Sequence, residues 1–196
     1  MSSRDEVLRA LRAASPEPLP LPDVPTTGIQ FEDLRARFAW ALGEAGGRCV
    51  RVATREDLEA ALLLVPEYLA ARKVVSLLPG VAKANVDANR IDDPHQLHDI
   101  DYCVLPGVLG VAESGAVWIT EHGAKNRAVT FLTQHLAIVL DGEALVSNLH
   151  QAYERIQIGG PGFALFLSGP SKTADIEQAL VIGAHGARSC TVFLVG

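Results

Sequence analysis

Short apolar runs alternate with longer amphipathic stretches along this chain, and that alternation constrains the fold most. Residues 48–52, 73–78, 102–105, 136–140, 163–167 and 191–195 have the length and apolar content of buried strands. Helical spacing appears between them. Residues 31–45 set Phe31, Leu34, Phe38, Ala41 and Leu42 on one face and stop at Gly46-Gly47. Residues 55–71 follow a Thr54 cap, with Leu58, Ala61, Leu62 and Val65 inward. Residues 143–156 carry Leu145, Val146, Leu149 and Tyr153 on one side. Parallel strands need long crossovers, usually helical. The pattern therefore predicts an α/β fold: a Rossmann-like, mostly parallel sheet with helices on both faces.

The first thirty residues read as an appendage. Residues 5–14 form a short helix with Val7, Leu8 and Leu11 on one side. Prolines at 16, 18, 20, 22 and 25 follow and predict an extended linker. The division is thus residues 1–30 as helical arm and linker, and residues 31–196 as one globular domain. A net charge of −6 disfavours nucleic acid and anionic membranes as general partners. No apolar run approaches the ~20 residues of a membrane span. The start, Met1-Ser2-Ser3-Arg4-Asp5-Glu6, lacks a signal-peptide pattern, so a cytoplasmic location is expected. Cys49, Cys103 and Cys190 are far apart in apolar runs, with no CxxC pair, and read as small buried hydrophobes.

Residues 163–182 read as strand, tight turn and helix. The apolar run stops at Ser168-Gly169-Pro170, and a helix is expected over residues 173–182, capped by Ser171 or Thr173. Free amides at such a helix start suit an anion: a phosphate, a pyrophosphate or a carboxylate. Lys172 adds positive charge; Asp175 and Glu177 compete for the same dipole. The glycines at 159, 160 and 162 do not form GxGxxG, and no Walker motif occurs.

Three further features carry chemistry. Glu113-Ser114-Gly115 lies between two apolar runs; a carboxylate there is either a paired structural acid or faces a ligand. His135 stands just before a strand, as a packed core residue or as part of a site. Residues 81–99 hold Asp87, Asp92, Asp93, His95, His98 and Asp99. A metal site can be drawn from them, but a solvated surface loop is the default and no metal ligand is assigned.

Ser168-Gly169-Pro170-Ser171-Lys172-Thr173-Ala174-Asp175-Ile176-Glu177, continuing through Leu180, Gly183 and His185-Gly186, resembles the C-terminal signature of the lactate utilization protein C family, which carries a LUD domain. Val111-Ala112-Glu113-Ser114-Gly115-Ala116 is similar to its second signature, with Ser114 for a threonine and Ala116 lacking a hydroxyl. The resemblance spans about residues 31–196. It implies a fold like the NagB/RpiA/CoA-transferase superfamily and a part in oxidising L-lactate to pyruvate. In that system iron–sulfur clusters belong to partner proteins.

The expected function is therefore a non-redox subunit of a lactate utilization complex. Its pocket would hold a small anion or a phosphate-bearing ligand, with Ser114, Gly115, His135, Ser168, Gly169, Pro170, Ser171, Lys172, Thr173 and Asp175 as candidate ligand-binding residues. No cofactor of its own is assigned. The alternative is an enzyme acting alone: a CoA-transferase-like chain with Glu113 as nucleophile, or an ATP-dependent ligase of the same superfamily. A third possibility is a binding module without turnover.

Overall fold

A computed structural model describes residues 2–14, 19–20, 28–121, 123–157, 162–173 and 181–196. Its centre is a five-stranded sheet of β1 (Arg48–Val52), β2 (Val74–Ser76), β3 (Tyr102–Pro106), β6 (His135–Asp141) and β11 (Ser189–Val195), in the order β1-β11-β6-β3-β2. Every neighbouring pair is parallel. The α/β expectation holds, and each of these strands falls on an apolar run read from the sequence.

Strand order dictates which face each connection covers. From β2 through β3 and β6 to β11 the chain moves across the sheet in one direction. From β1 to β2 it crosses the whole sheet in the other. Right-handed crossovers put opposite moves on opposite faces. Accordingly α3 (Leu58–Leu62) and α4 (Pro66–Ala70), which join β1 to β2, pack Leu58, Leu62, Val65 and Tyr68 against Val104, Ala137 and Phe193. The other face meets α2 (Leu34–Glu44), α5 (Val129–Leu132) and a second sheet.

That second sheet was not foreseen. It consists of β4 (Leu109–Val111), β5 (Ala116–Thr120), β7 (Leu145–Val146) and β8 (Ala164–Leu167), in the order β7-β4-β5-β8. The β4–β5 and β5–β8 pairs are antiparallel. Val117, Ile119, Leu145, Leu165 and Leu167 face the main sheet. Leu109, Val111, Val146, Trp118 and Phe166 face outward, against Ala152 of α6 (Leu149–Arg155). Two elements therefore differ from expectation. The helix expected over residues 143–156 is a short turn, then β7, then α6, because Leu145 and Val146 take up parallel pairing with β4. The helix expected over 55–71 breaks at Pro66, which starts α4 because proline cannot donate inside a helix.

Local chemistry accounts for the other ends. Asp33 caps α2 by accepting from the Ala36 N–H at 2.9 Å. Gly46, at φ +80°, closes α2, and the Gly47 N–H donates back to the Leu42 carbonyl. At the N-terminus α1 (Ser3–Ala13) begins with a reciprocal capping box between Ser2 and Asp5 and buries no residue. Most of the proline-rich linker, and the glycines at 159 and 160, lie outside the described residues. Among the described residues no helix is long and apolar enough to cross a membrane.

Candidate functional site

At the end of β8 the chain turns through Ser168-Gly169-Pro170 against the C-terminal end of α2. Gly169 has φ +71°, and a Cβ there would lie 2.4 Å from the Ala45 carbonyl oxygen, so only glycine fits. The Ser168 hydroxyl donates to the Ser114 carbonyl at 2.9 Å. Gly115 is pressed onto the same helix: its φ is +64°, and an added Cβ would lie 2.3 Å from the Leu42 nitrogen. The two sequence signatures are therefore neighbours, docked side by side on α2.

The expected helix start at Ser171 or Thr173 is a correction. Lys172–Thr173 (β9) pairs antiparallel with Val181–Ile182 (β10). The Ser171 N–H donates to the Ala187 carbonyl at 2.9 Å, and the Ser171 carbonyl accepts from the Gly183 N–H at 3.0 Å. Lateral partners satisfy this backbone before any helical turn forms, and Thr173, Val181 and Ile182 are β-branched. The Ser171 amide is thus not free for an anion. Asp175 and the rest of 174–180 lie outside the described residues.

What the turn does form is a wall. Residues Ser168 to Lys172, with Leu165–Leu167, Thr130, Phe131, Leu136 and His185–Ala187, enclose a cavity of about 320 Å³. Its lining mixes apolar side chains with the hydroxyls of Thr130, Ser168 and Ser171, the Lys172 amine and the His185 imidazole. Lys172 crosses over Gly46, its Cε 3.2 Å from where a Cβ would stand. Its ammonium thus lies by the negative end of α2. Thr130 and Phe131 escaped the sequence reading, where they belong to an unremarkable apolar run.

Glu113 does not line this cavity. Its Oε1 accepts the Leu149 N–H at 2.8 Å, at the first turn of α6. Its backbone N–H donates to the Ser147 carbonyl at 3.0 Å, and its carbonyl accepts from Arg37 Nη2 at 3.2 Å. The paired structural acid, one of the two sequence readings, describes this geometry: the carboxylate fills an orphan amide at a helix start.

His135 is the second correction. Residues alternate faces along a strand, so His135 shares the α3/α4 side with Ala137, whereas Leu136 lines the Ser168 cavity on the other side. His135 borders a separate cavity of about 410 Å³ with Pro66, Glu67, Ala70, Ala71 and Asp101. Its Nδ1 is 2.8 Å from the Ser189 hydroxyl. Burial lowers its pKa, opposed by Glu67 and Asp101. Glu67 is itself held below the usual range, first by a hydrogen bond from its own backbone N–H and then by Arg48, 3.2 Å away. Arg48 also donates to the Thr191 hydroxyl at 3.2 Å.

In the 81–99 loop, His95 Nδ1 meets Asp93 at 2.7 Å and His98 Nδ1 meets the His95 carbonyl at 2.8 Å. Asp92 pairs with Lys125 and Asp99 with Lys73. Among the described residues no three His, Cys, Asp or Glu side chains converge to hold a metal. Cys103 and Cys190 are on β3 and β11, either side of Leu136 on β6, and burial pushes each thiol up to about 12. Cys49 is on β1.

A parallel α/β sheet with a small antiparallel sheet docked on one face, and a cavity where the two meet, defines the class of this protein. Its fold resembles the crystal structure of a DUF162 family protein from Deinococcus radiodurans, with a TM-score of 0.56 at 14% identity, over 83% of this chain and 96% of that one. The LUD domain matches residues 76–195, and the chain belongs to the LUD domain family. A lactate utilization protein C from Geobacillus sp. (strain WCH70) is 30% identical over 98% of this chain and 79% of its own length. Another, from Shouchella clausii, is 33% identical over 52% of this chain and 46% of its own.

Proposed function

We propose that this chain is the non-redox subunit of an L-lactate utilization complex, working beside iron–sulfur proteins, and that a small anion binds in the Ser168–Lys172 cavity. The observation that carries the reading is the cavity itself. It lies between the signature turn and the apolar face of β6, and it offers a short carbon skeleton an apolar wall. Lys172 and the serine hydroxyls supply the polar end. The relatives named lactate utilization protein C give the physiological context.

The cysteines support the division of labour. A cluster of the common kind needs four thiolates. This chain has three cysteines on three separate strands, two of them buried with thiols held protonated. Electrons would then pass through partner proteins. A glutamate nucleophile has less support, because Glu113 is committed to α6.

Reconstitution tests the proposal. Cluster-bearing partners are assayed for lactate oxidation with and without this chain. The expected result is oxidation that needs the chain, falls with Lys172→Gln, and is absent from the chain alone. Lactate turnover by the isolated chain, or full activity of the partners without it, contradicts the reading.

A further inference from the structure

Helix α1 is built to be a helix and then left with nothing inside it. Its capping box is complete, yet Val7, Leu8 and Leu11 are 58%, 37% and 62% exposed. An eleven-residue helix is marginal in water without a packed apolar face. A matching surface exists on the body. Trp40 is 56% exposed and stacks on Arg37, whose other face covers Phe31. Arg37 contacts the Glu113 carbonyl, and the Glu113 carboxylate holds the start of α6. From there α6 exposes Leu149 and, one turn on, Tyr153, 37% and 55% accessible. Through these contacts Trp40, Leu149 and Tyr153 form one continuous patch. Exposed Trp, Tyr and Arg together are the composition of interface hot spots.

The chain itself indicates what covers the patch. The Asn148 amide donates to the Ile29 carbonyl at 2.9 Å, and the Phe31 N–H donates to Ser147. The connector to α1 is thus anchored at the rim of the patch, beside Leu149. Residues 15–27 separate that anchor from α1 and include five prolines. In extended form they reach about 40 Å, at ~3.1 Å per residue. Such a sequence carries the helix away from its anchor and resists doubling back onto it. We propose that the Trp40–Leu149–Tyr153 patch receives the α1 helix of a second copy of this chain. The exchange is reciprocal, so each copy gives a helix and takes one in a closed two-fold pair.

Sedimentation velocity of the full-length protein tests this with two double variants. Val7→Asp with Leu11→Asp spoils the helix; Trp40→Ser with Tyr153→Ser spoils the patch. All four positions are exposed, and circular dichroism checks that each variant stays folded. The wild type is expected to be a dimer, and each variant to weaken dimerisation roughly 100-fold, to a monomer. An equimolar mixture of the two variants restores one intact helix–patch contact, so dimers reappear. Three outcomes overturn the proposal: a monomeric wild type, a helix variant that remains dimeric, or a mixture that stays monomeric. A monomeric wild type would leave α1 to its own patch or to another protein.

Discussion

Two cavities open at the amino-terminal edge of the main sheet, one on each face, and they differ in what their polar groups are doing. Around His135 the groups answer one another: Arg48 holds Glu67 and Thr191, and Ser189 holds the imidazole. Around Ser168 the backbone is satisfied laterally, while side chains of opposite character are left facing a space. A closed polar network stabilises a fold; a cavity with mixed walls waits for something. The sequence drew His135 and Ser168 into one pocket. Strand alternation separates them.

The sharpest break would come from the glycines that hold the Ser168 cavity together. Gly169→Ala should cost about 2–4 kcal/mol in chemical denaturation, from backbone strain plus the clash with Ala45. Gly80→Ala is the control: its φ is +71° but nothing lies within 4 Å, so about 1 kcal/mol is expected. Equal losses would mean that the docking of the turn on α2 is not what demands glycine at 169.

Next in size, Lys172→Gln should weaken a small carboxylate or phosphate about 5-fold by calorimetry, as fits an exposed cation. Unchanged affinity would remove Lys172 from the ligand's polar end. Glu113→Gln keeps an acceptor for the Leu149 amide but gives up the charge at a helix start. It should lower stability by less than about 1 kcal/mol and leave lactate oxidation in the reconstituted complex intact. Loss of that activity with the fold preserved would restore Glu113 as a reacting group.

The smallest effect belongs to the other cavity. Burial depresses the His135 pKa below the ordinary ~6.5. The unfolded chain then binds more protons between the two values, so stability rises with pH there. The contribution is complete above about 6.5 and is lost as pH falls through the folded value. His135→Gln should flatten the denaturation midpoint across that window. Solvent screens the half-exposed ring, so the change is modest. A wild-type midpoint constant from pH 7 to 5 would mean that burial does not favour the neutral ring.

The main sheet was legible because its five strands are buried on both faces and read as plain apolar runs. Leu136 to Leu140 announces itself without tertiary context. The second sheet was harder. Leu145-Val146 looks helical beside Leu149 and Tyr153, and only pairing with β4 decides otherwise. The same holds for Lys172-Thr173, whose partners Val181-Ile182 come eight residues later. The signature turn was legible as a site because glycine and proline mark it. The nature of that site was not, since the partners of Ser171 are Gly183 and Ala187. Helix-start chemistry was inferred locally; a non-local ladder overrode it.

The account stands most directly on where a ligand touches the chain. Titrating the isotope-labelled protein with L-lactate, while following backbone amide resonances, reads that position without assuming a reaction. The expected result is saturable shifts confined to Ser168–Lys172, Phe131 and His185–Ala187. Shifts gathered at Glu67, Asp101 and His135, or none across the titration, would contradict it.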